Sequence, residues 1–273
     1  MPITTADFDY VRDFVRQKSA IALDPGKEYL VESRLGPLAK QQGLETIAQV
    51  IDRLRRNDAQ IENAVVDAMT TNETSFFRDL YPFEALKNVV VPDLLARRAD
   101  ERKLDIWCAA CSSGQEPYTI NMTLQEHFGD QLAGWQTKIL ATDLSTEMLA
   151  KAREGRYAQI EANRGLPAPL LVKYFDRSGM GWVVKPQLKE NIDYRQMNLV
   201  TAWPPLPRMD IIFMRNVLIY FDVETKRLIF NRIAQLLKPD GYLFLGTAET
   251  TVNIHDGFQR VQIDKAGCYQ LRG

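Results

Sequence analysis

Apolar positions in the first seventy residues recur at helical spacing. Phe8, Val11, Phe14 and Val15 share one face, Ile47, Val50, Ile51 and Leu54 a second, and Ile61, Val65, Ala68 and Met69 a third. Asp24-Pro25-Gly26, Gly36-Pro37 and Gly43 punctuate these stripes and predict a compact set of short helices rather than one long rod. From Leu104 onward the pattern changes. Apolar runs at residues 104–109, 138–141, 209–214 and 242–245 alternate with helical stretches, the pattern of a parallel sheet covered on both faces. Pro239-Asp240-Gly241 reads as the turn between a helix ending at Leu237 and the last of these strands. Residues 152–195 interrupt the alternation, and Arg177-Ser178-Gly179-Met180-Gly181 before Trp182-Val183-Val184 predicts a small antiparallel hairpin insert. The expected fold class is α/β: an all-α N-terminal domain over residues 1–75, then a Rossmann-like sheet domain over 76–273 carrying a small antiparallel β insert at about 152–195.

The first strand leads into the chemistry. Lys103-Leu104-Asp105-Ile106-Trp107-Cys108 runs into Ala109-Ala110-Cys111-Ser112-Ser113-Gly114, and a helix then opens with Pro117 in its first turn. A loop of small residues lets backbone approach a ligand closely. Only one glycine is present, so the three-glycine dinucleotide fingerprint is missing, and no lysine follows Gly114 as a triphosphate loop requires. Asp143 ends the next strand, where a carboxylate grips a ribose diol. Ribose without a phosphate fits S-adenosylmethionine. Ligands of such sheets lie beyond the strand carboxyl ends, which makes Arg215, Asn216 and Tyr220, after the strand at 209–214, further candidates.

Composition narrows the partners. The 273 residues are 45% apolar with net charge −1 and no basic run, so nothing advertises nucleic acid. No run of eighteen apolar residues and no signal pattern at Met1-Pro2-Ile3-Thr4-Thr5 is found, and the chain is expected to be cytoplasmic. Cys108 and Cys111 form C-x-x-C, but Cys268, His127 and His255 are scattered singly, so no metal is expected.

Thr71-Asn72-Glu73-Thr74-Ser75-Phe76-Phe77-Arg78, Cys111-Ser112-Ser113-Gly114-Gln115-Glu116-Pro117-Tyr118, Ala141-Thr142-Asp143, Asn198-Leu199 and Arg215-Asn216-Val217-Leu218-Ile219-Tyr220-Phe221 together closely resemble the CheR-type chemotaxis receptor methyltransferases. The resemblance covers almost the whole chain. It implies methyl transfer from S-adenosylmethionine to glutamate side chains of chemoreceptors, forming methyl esters. Matched by position, it implies cofactor contacts at Asn72, Thr74, Arg78, Glu116, Asp143, Asn198, Leu199, Arg215 and Asn216, with Arg78 and Tyr220 near the substrate. A glutamate, with a reference pKa of about 4.3, is already ionised at neutral pH and needs no general base. Accordingly no serine–histidine or cysteine–histidine arrangement is found.

The acceptors in this family lie on long receptor helices. Basic residues of the N-terminal helices, Arg34, Lys40, Arg53, Arg55 and Arg56, are the candidates for steering such a helix. In Arg34-Leu35-Gly36-Pro37-Leu38-Ala39-Lys40, glycine and proline stand where many relatives carry more arginines, which bears on receptor choice. Some members also hold the receptor's C-terminal pentapeptide as an added strand on the small sheet. The short loop around Gly179 and Gly181 leads to the expectation that this chain does not need that tether. Two rival functions remain. A nucleic-acid methyltransferase would carry an acid- or asparagine-led Pro-Pro-aromatic motif where Arg215-Asn216-Val217 stands, and a cofactor-sensing protein would not need Arg78 and Tyr220.

Overall fold

A computed structural model describes residues 3–273. Met1 and Pro2, part of the stretch read for a signal sequence, lie outside the described residues. Contacts divide the chain into two compact units, the residues up to Thr71 with Tyr220–Thr225, and Asn72–Ile219 with Lys226–Gly273.

The first unit holds helices α1 (Thr5–Ser19), α2 (Glu28–Gln41), α3 (Ile47–Arg55) and α4 (Ala59–Met69). Each start except that of α2 has a side-chain cap. Thr4 accepts from Asp7 N, Thr46 and Gln49 form a capping box, and Asp58 accepts from Gln60 N and Ile61 N. Phe8, Val11, Phe14, Val15, Val50, Ile51, Leu54, Ile61, Val65 and Met69 are buried, while Ile47 and Ala68 are half-buried at the margins. Gly36-Pro37 does not break the chain as the punctuation predicted but lies inside α2. Interior glycine and proline cost about 1 and 3 kcal/mol. Against this, Val31, Leu35, Leu38 and Ala39 are buried at helical spacing, and the valine and two leucines contribute roughly 1.5–3 kcal/mol each. The Ser33 carbonyl that Pro37 cannot serve belongs to an exposed residue, open to water.

In the second unit, α5 (Tyr81–Ala85), a π-helical turn (Leu86–Val90) and α6 (Val91–Arg97) run on continuously. There follow β1 (Lys103–Ala109), α7 (Gln115–Phe128), β2 (Gln136–Asp143), α8 (Thr146–Glu154), β3 (Arg156–Ala158), α9 (Gln159–Asn163), α10 (Ala168–Tyr174), β4 (Phe175–Ser178), β5 (Gly181–Val184), α11 (Pro186–Lys189), β6 (Ile192–Gln196) and β7 (Met209–Met214). A 3₁₀ turn (Leu218–Tyr220), α12 (Val223–Leu236), β8 (Leu237–Leu245), β9 (Phe258–Val261) and β10 (Gly267–Leu271) complete the chain.

Among the described residues the main sheet has the order β6-β2-β1-β7-β8-β10-β9. β6, β2, β1, β7 and β8 are parallel, and β10 pairs antiparallel with both neighbours. The strand order reverses between β1 and β7, the switch point where open α/β sheets bind ligands. The registers Ala109↔Thr142, Ala109↔Met214 and Asp143↔Gln196 bring four carboxyl ends level there. Six of the seven β1 residues and all six of β7 are buried, as strands covered on both faces require.

Two expectations change in detail. The Pro239-Asp240-Gly241 turn lies within β8 as a bulge, because the pairing steps from Met209↔Leu237 to Ile211↔Tyr242. A Cβ on Gly241 would stand 2.9 Å from the Asp210 carbonyl, so only glycine permits that approach. The small antiparallel insert is present with one strand more than a hairpin, in the order β3-β5-β4. Phe76, Tyr118, Tyr157 and Phe175 pack beneath it, and Tyr157 on β3 supplies the burial that recruits the third strand.

Candidate functional site

The loop after β1 is bent by left-handed residues, Ala110 (φ 53°), Ser112 (φ 50°) and Gly114 (φ 91°). At Gly114 a Cβ would stand 2.8 Å from the Ala152 Cβ, so glycine serves both the conformation and the packing of α8. Tyrosines hold the loop and its surroundings: Tyr157 donates to the Ser113 carbonyl at 2.6 Å and Tyr118 to the Ala152 carbonyl at 2.6 Å. Burial pushes the Tyr118 hydroxyl up to about 12 and also raises Tyr157, so both stay protonated donors at neutral pH. Burial likewise raises the Cys108 and Cys111 thiols, which leaves them small apolar linings rather than nucleophiles. Among the described residues no cluster of three metal-ligating side chains occurs.

Two hydrogen-bonded sets gather most of the candidates. In the first, Ser112 donates its hydroxyl to the Asn72 carbonyl at 2.8 Å and its N–H to Asp143 Oδ2 at 2.7 Å. Asp143 Oδ1 accepts from Ser145 N at 2.9 Å, and the Asp143 carbonyl accepts from Met197 N at 2.9 Å, which draws Asn198 alongside. Asn198 Oδ1 closes its own turn on Val200 N at 3.1 Å, while buried Leu199 offers its carbonyl to Trp203 Nε1 and Arg232 Nη1.

In the second, the Arg215 side chain, 1% exposed, pairs through Nη1 with Glu116 Oε2 and through Nη2 with Asp79 Oδ2 and the Arg78 carbonyl, each at 2.8 Å for the latter two. Glu116 Oε1 also accepts from Cys108 Sγ at 3.2 Å. The Arg78 guanidinium donates to the Glu73 carbonyl at 2.7 Å and is half-buried. Thr74 is half-buried beside this segment in sequence and joins neither set. Asn216 sits in the left-handed region (φ 58°) with its N–H on Glu249. Tyr220 belongs to the helical unit, where its carbonyl accepts from Ala22 N at 3.2 Å.

Sequence reasoning missed Asp79 and Glu249. Asp79 follows Arg78 directly and could have been flagged as an acid in a motif. Glu249 carried no local signal, being 33 positions from Asn216. Of the five basic residues read as steering charges, three are engaged within the helical unit. Arg34 holds the end of α4 through the carbonyls of Ala68 and Thr70 and the Thr71 hydroxyl, and burial lowers its pKa. Arg53 pairs with Asp58, and Arg55 with Asp7. Among the described residues no ion pair is found to exposed Lys40 or Arg56.

Family models match along the chain: CheR methyltransferase, all-alpha domain, over residues 6–70, and CheR methyltransferase, SAM binding domain, over residues 72–266. The chain belongs to the CheR methyltransferase family. The chemotaxis protein methyltransferase 1 of Pseudomonas aeruginosa is 44% identical, with 100% of both chains covered. The chemotaxis protein methyltransferase Cher2 of Pseudomonas putida is 42% identical over 97% of this chain and 98% of its own. That of Escherichia coli is 34% identical over 94% and 89%.

This CheR protein is an S-adenosylmethionine-dependent methyltransferase, and its residues fit that cofactor. Asp143 accepts from Ser112 N on Oδ2 and from Ser145 N on Oδ1, which fixes its carboxylate at the end of β2, where a ribose diol would lie. Gly114, the residue before α7, offers no side-chain cap to the helix's first N–H groups. Acid and guanidinium stand together at Glu116 and Arg215, a set suited to a zwitterionic amino-acid end, and buried Arg215 Nε has no hydrogen-bond partner. Among the described residues no helix is long and apolar enough to cross a membrane.

Proposed function

We propose that this protein transfers methyl groups to glutamate side chains of chemoreceptors in the cytoplasm, forming the esters that set chemotactic adaptation. The single observation that carries the reading is the make-up of the site sets: arginines, carboxylates and amides, with Glu116 already engaged by Arg215 and Cys108, and no histidine in either set. A carboxylate acceptor suits such a site, because it attacks without losing a proton.

The cofactor supplies a methyl group on a sulfonium sulfur. In this reading Asp143 grips the ribose, Asn72, Thr74, Asn198, Leu199 and Asn216 line the cofactor, and Glu116 with Arg215 orients its amino-acid end. Arg78 orients carboxylate groups and Tyr220 aligns the acceptor. Joining an anion to a sulfonium cation disperses charge, so a guanidinium clamped on the acceptor would stabilise reactants more than the transition state. Arg78 therefore orients rather than neutralises. Its bond to the Glu73 carbonyl supports that restrained role. Holding oxygen, methyl carbon and sulfur in line is worth up to about 7–11 kcal/mol in favourable cases.

For docking, Lys40 and Arg56 are the residues free to meet an acidic receptor helix, since Arg34, Arg53 and Arg55 are engaged locally. The receptor's pentapeptide tether is not required in this reading, which the two-residue connection between β4 and β5 supports. Micromolar capture of the protein by a receptor tail peptide would refute that point.

The test is transfer of labelled methyl from S-adenosylmethionine to receptor signalling domains, followed by release of volatile methanol in base. Base-labile label that vanishes when the acceptor glutamates become alanine is the expected result. Stable label, or none across a broad receptor panel, overturns the proposal. Arg78→Ala and Tyr220→Phe should each slow turnover, and unchanged rates in both would remove these roles.

A further inference from the structure

We propose that Glu249 is a positioning residue that sets cofactor affinity by holding Asn216 at the carboxyl end of β7. The inference rests on the reading of Asn216 as a cofactor contact.

Five backbone N–H groups converge on this one carboxylate. Oε2 accepts from Gly246 at 2.7 Å and Asn216 at 2.8 Å, and Oε1 from Leu218 at 2.7 Å, Val217 at 2.9 Å and Ile219 at 3.3 Å. Glu249 is 8% exposed, and among the described residues no ion pair to it is found. Its charge is therefore balanced by peptide dipoles, four of them from consecutive residues, in the manner of an anion nest. The donors have no strand to join. β7 ends at Met214, and the 3₁₀ turn begins only at Leu218. Without the carboxylate, N–H groups of a half-buried bend would lose their partner.

The strain in the bend falls on Asn216, which holds φ 58°. Asparagine tolerates that region, but an external anchor must select it over the extended forms. Glu249 supplies the anchor and is itself fixed by the turn Gly246–Glu249, in which Glu249 N donates to the Gly246 carbonyl at 2.9 Å. The junction is tight. A Cβ on Gly246 would stand 2.7 Å from Glu249 Oε2 and 2.8 Å from Asn216 Nδ2. The carboxylate thus decides where the Asn216 side chain starts, and the residue after the bend in sequence is Tyr220.

Replacing Glu249 by glutamine keeps the shape but turns an NH₂ toward N–H donors. The experiment is calorimetric titration of the full-length protein with S-adenosylhomocysteine, for wild type, Asn216→Ala, Glu249→Gln and the double variant, with unfolding followed in parallel. Each single variant should weaken binding about ten-fold, the scale of one lost charge-assisted hydrogen bond. The double variant should be within about two-fold of the weaker single, since both changes remove one interaction. Unchanged binding in folded Glu249→Gln beside a weakened Asn216→Ala overturns the role of Glu249 alone. Additive losses overturn the route through Asn216. Unchanged binding in Asn216→Ala overturns the assignment of that residue and the route with it. If Glu249→Gln does not fold, Gly246→Ala displaces the same carboxylate, with the same losses expected and unchanged binding again counting against the proposal.

Discussion

Replacing Arg215 by methionine removes the guanidinium on which the second set of site residues depends. The side chain is 1% exposed and lies between Glu116, 12% exposed, and Asp79, 37% exposed. Methionine keeps much of the packing against Phe83, whose ring centroid is 5.5 Å from the guanidinium carbon, so the loss is mainly electrostatic. Stranding a buried partner such as Glu116 costs about 3–5 kcal/mol. The Asp79 pair, screened by water, adds at most about 1 kcal/mol. A total near 4 kcal/mol in a unit of about 200 residues corresponds to a fall in unfolding temperature of roughly 8–16 °C. The assay is intrinsic fluorescence on heating, because all four tryptophans, Trp107, Trp135, Trp182 and Trp203, belong to the sheet unit and report on it alone. A second variant, Arg215→Met with Glu116→Gln, should recover about 2 kcal/mol by removing the stranded charge. A fall of less than about 3 °C for Arg215→Met, or no recovery in the double variant, would refute the claim that this arginine balances the site's acids.

Three further outcomes follow from other parts of the molecule. Asp210, 0% exposed, accepts from Arg98 Nε at 2.8 Å, Lys238 Nζ at 2.9 Å and Asp105 N at 2.9 Å, so Asp210→Asn should cost about 3 kcal/mol, read as a lower urea midpoint with unchanged slope. The hydrogen bond from Arg98 holds the Asp240 carboxyl below its ordinary range. A depressed carboxyl contributes stability above its unfolded pKa of about 3.9 and loses it as pH falls through the folded value, so Asp240→Asn should flatten the stability curve below about pH 4; an unaltered acid limb counts against the pairing. Gly114→Ala imposes a left-handed alanine costing about 1–2 kcal/mol as well as the 2.8 Å contact with Ala152, and should weaken S-adenosylhomocysteine binding. Adding Ala152→Gly should restore the part due to contact, leaving the backbone part.

Local pattern was enough for three of the four N-terminal helices, α1, α3 and α4, the buried parallel strands and the small-residue loop after β1, because periodic burial and steric permission are properties of neighbouring residues. The family strings were legible for the same reason, being contiguous. Partnership across the chain was not. Arg215 meets Glu116 across 99 positions, Arg98 meets Asp210 across 112, and Glu249 meets Asn216 across 33. No spacing rule links such pairs, since the in-register sheet brings them together. Gly36-Pro37 illustrates the other limit: it reads as a break, and burial of Val31, Leu35 and Leu38 overrides the local cost. Arg34 read as a surface charge until folding placed the end of α4 against it. Sequence by itself determined most of the N-terminal helices, the buried parallel strands and the small-residue loop after β1. Tertiary structure alone decided which charges are paired within the protein and which stay exposed, because a charge is drawn into whichever pairing the packed backbone brings within reach.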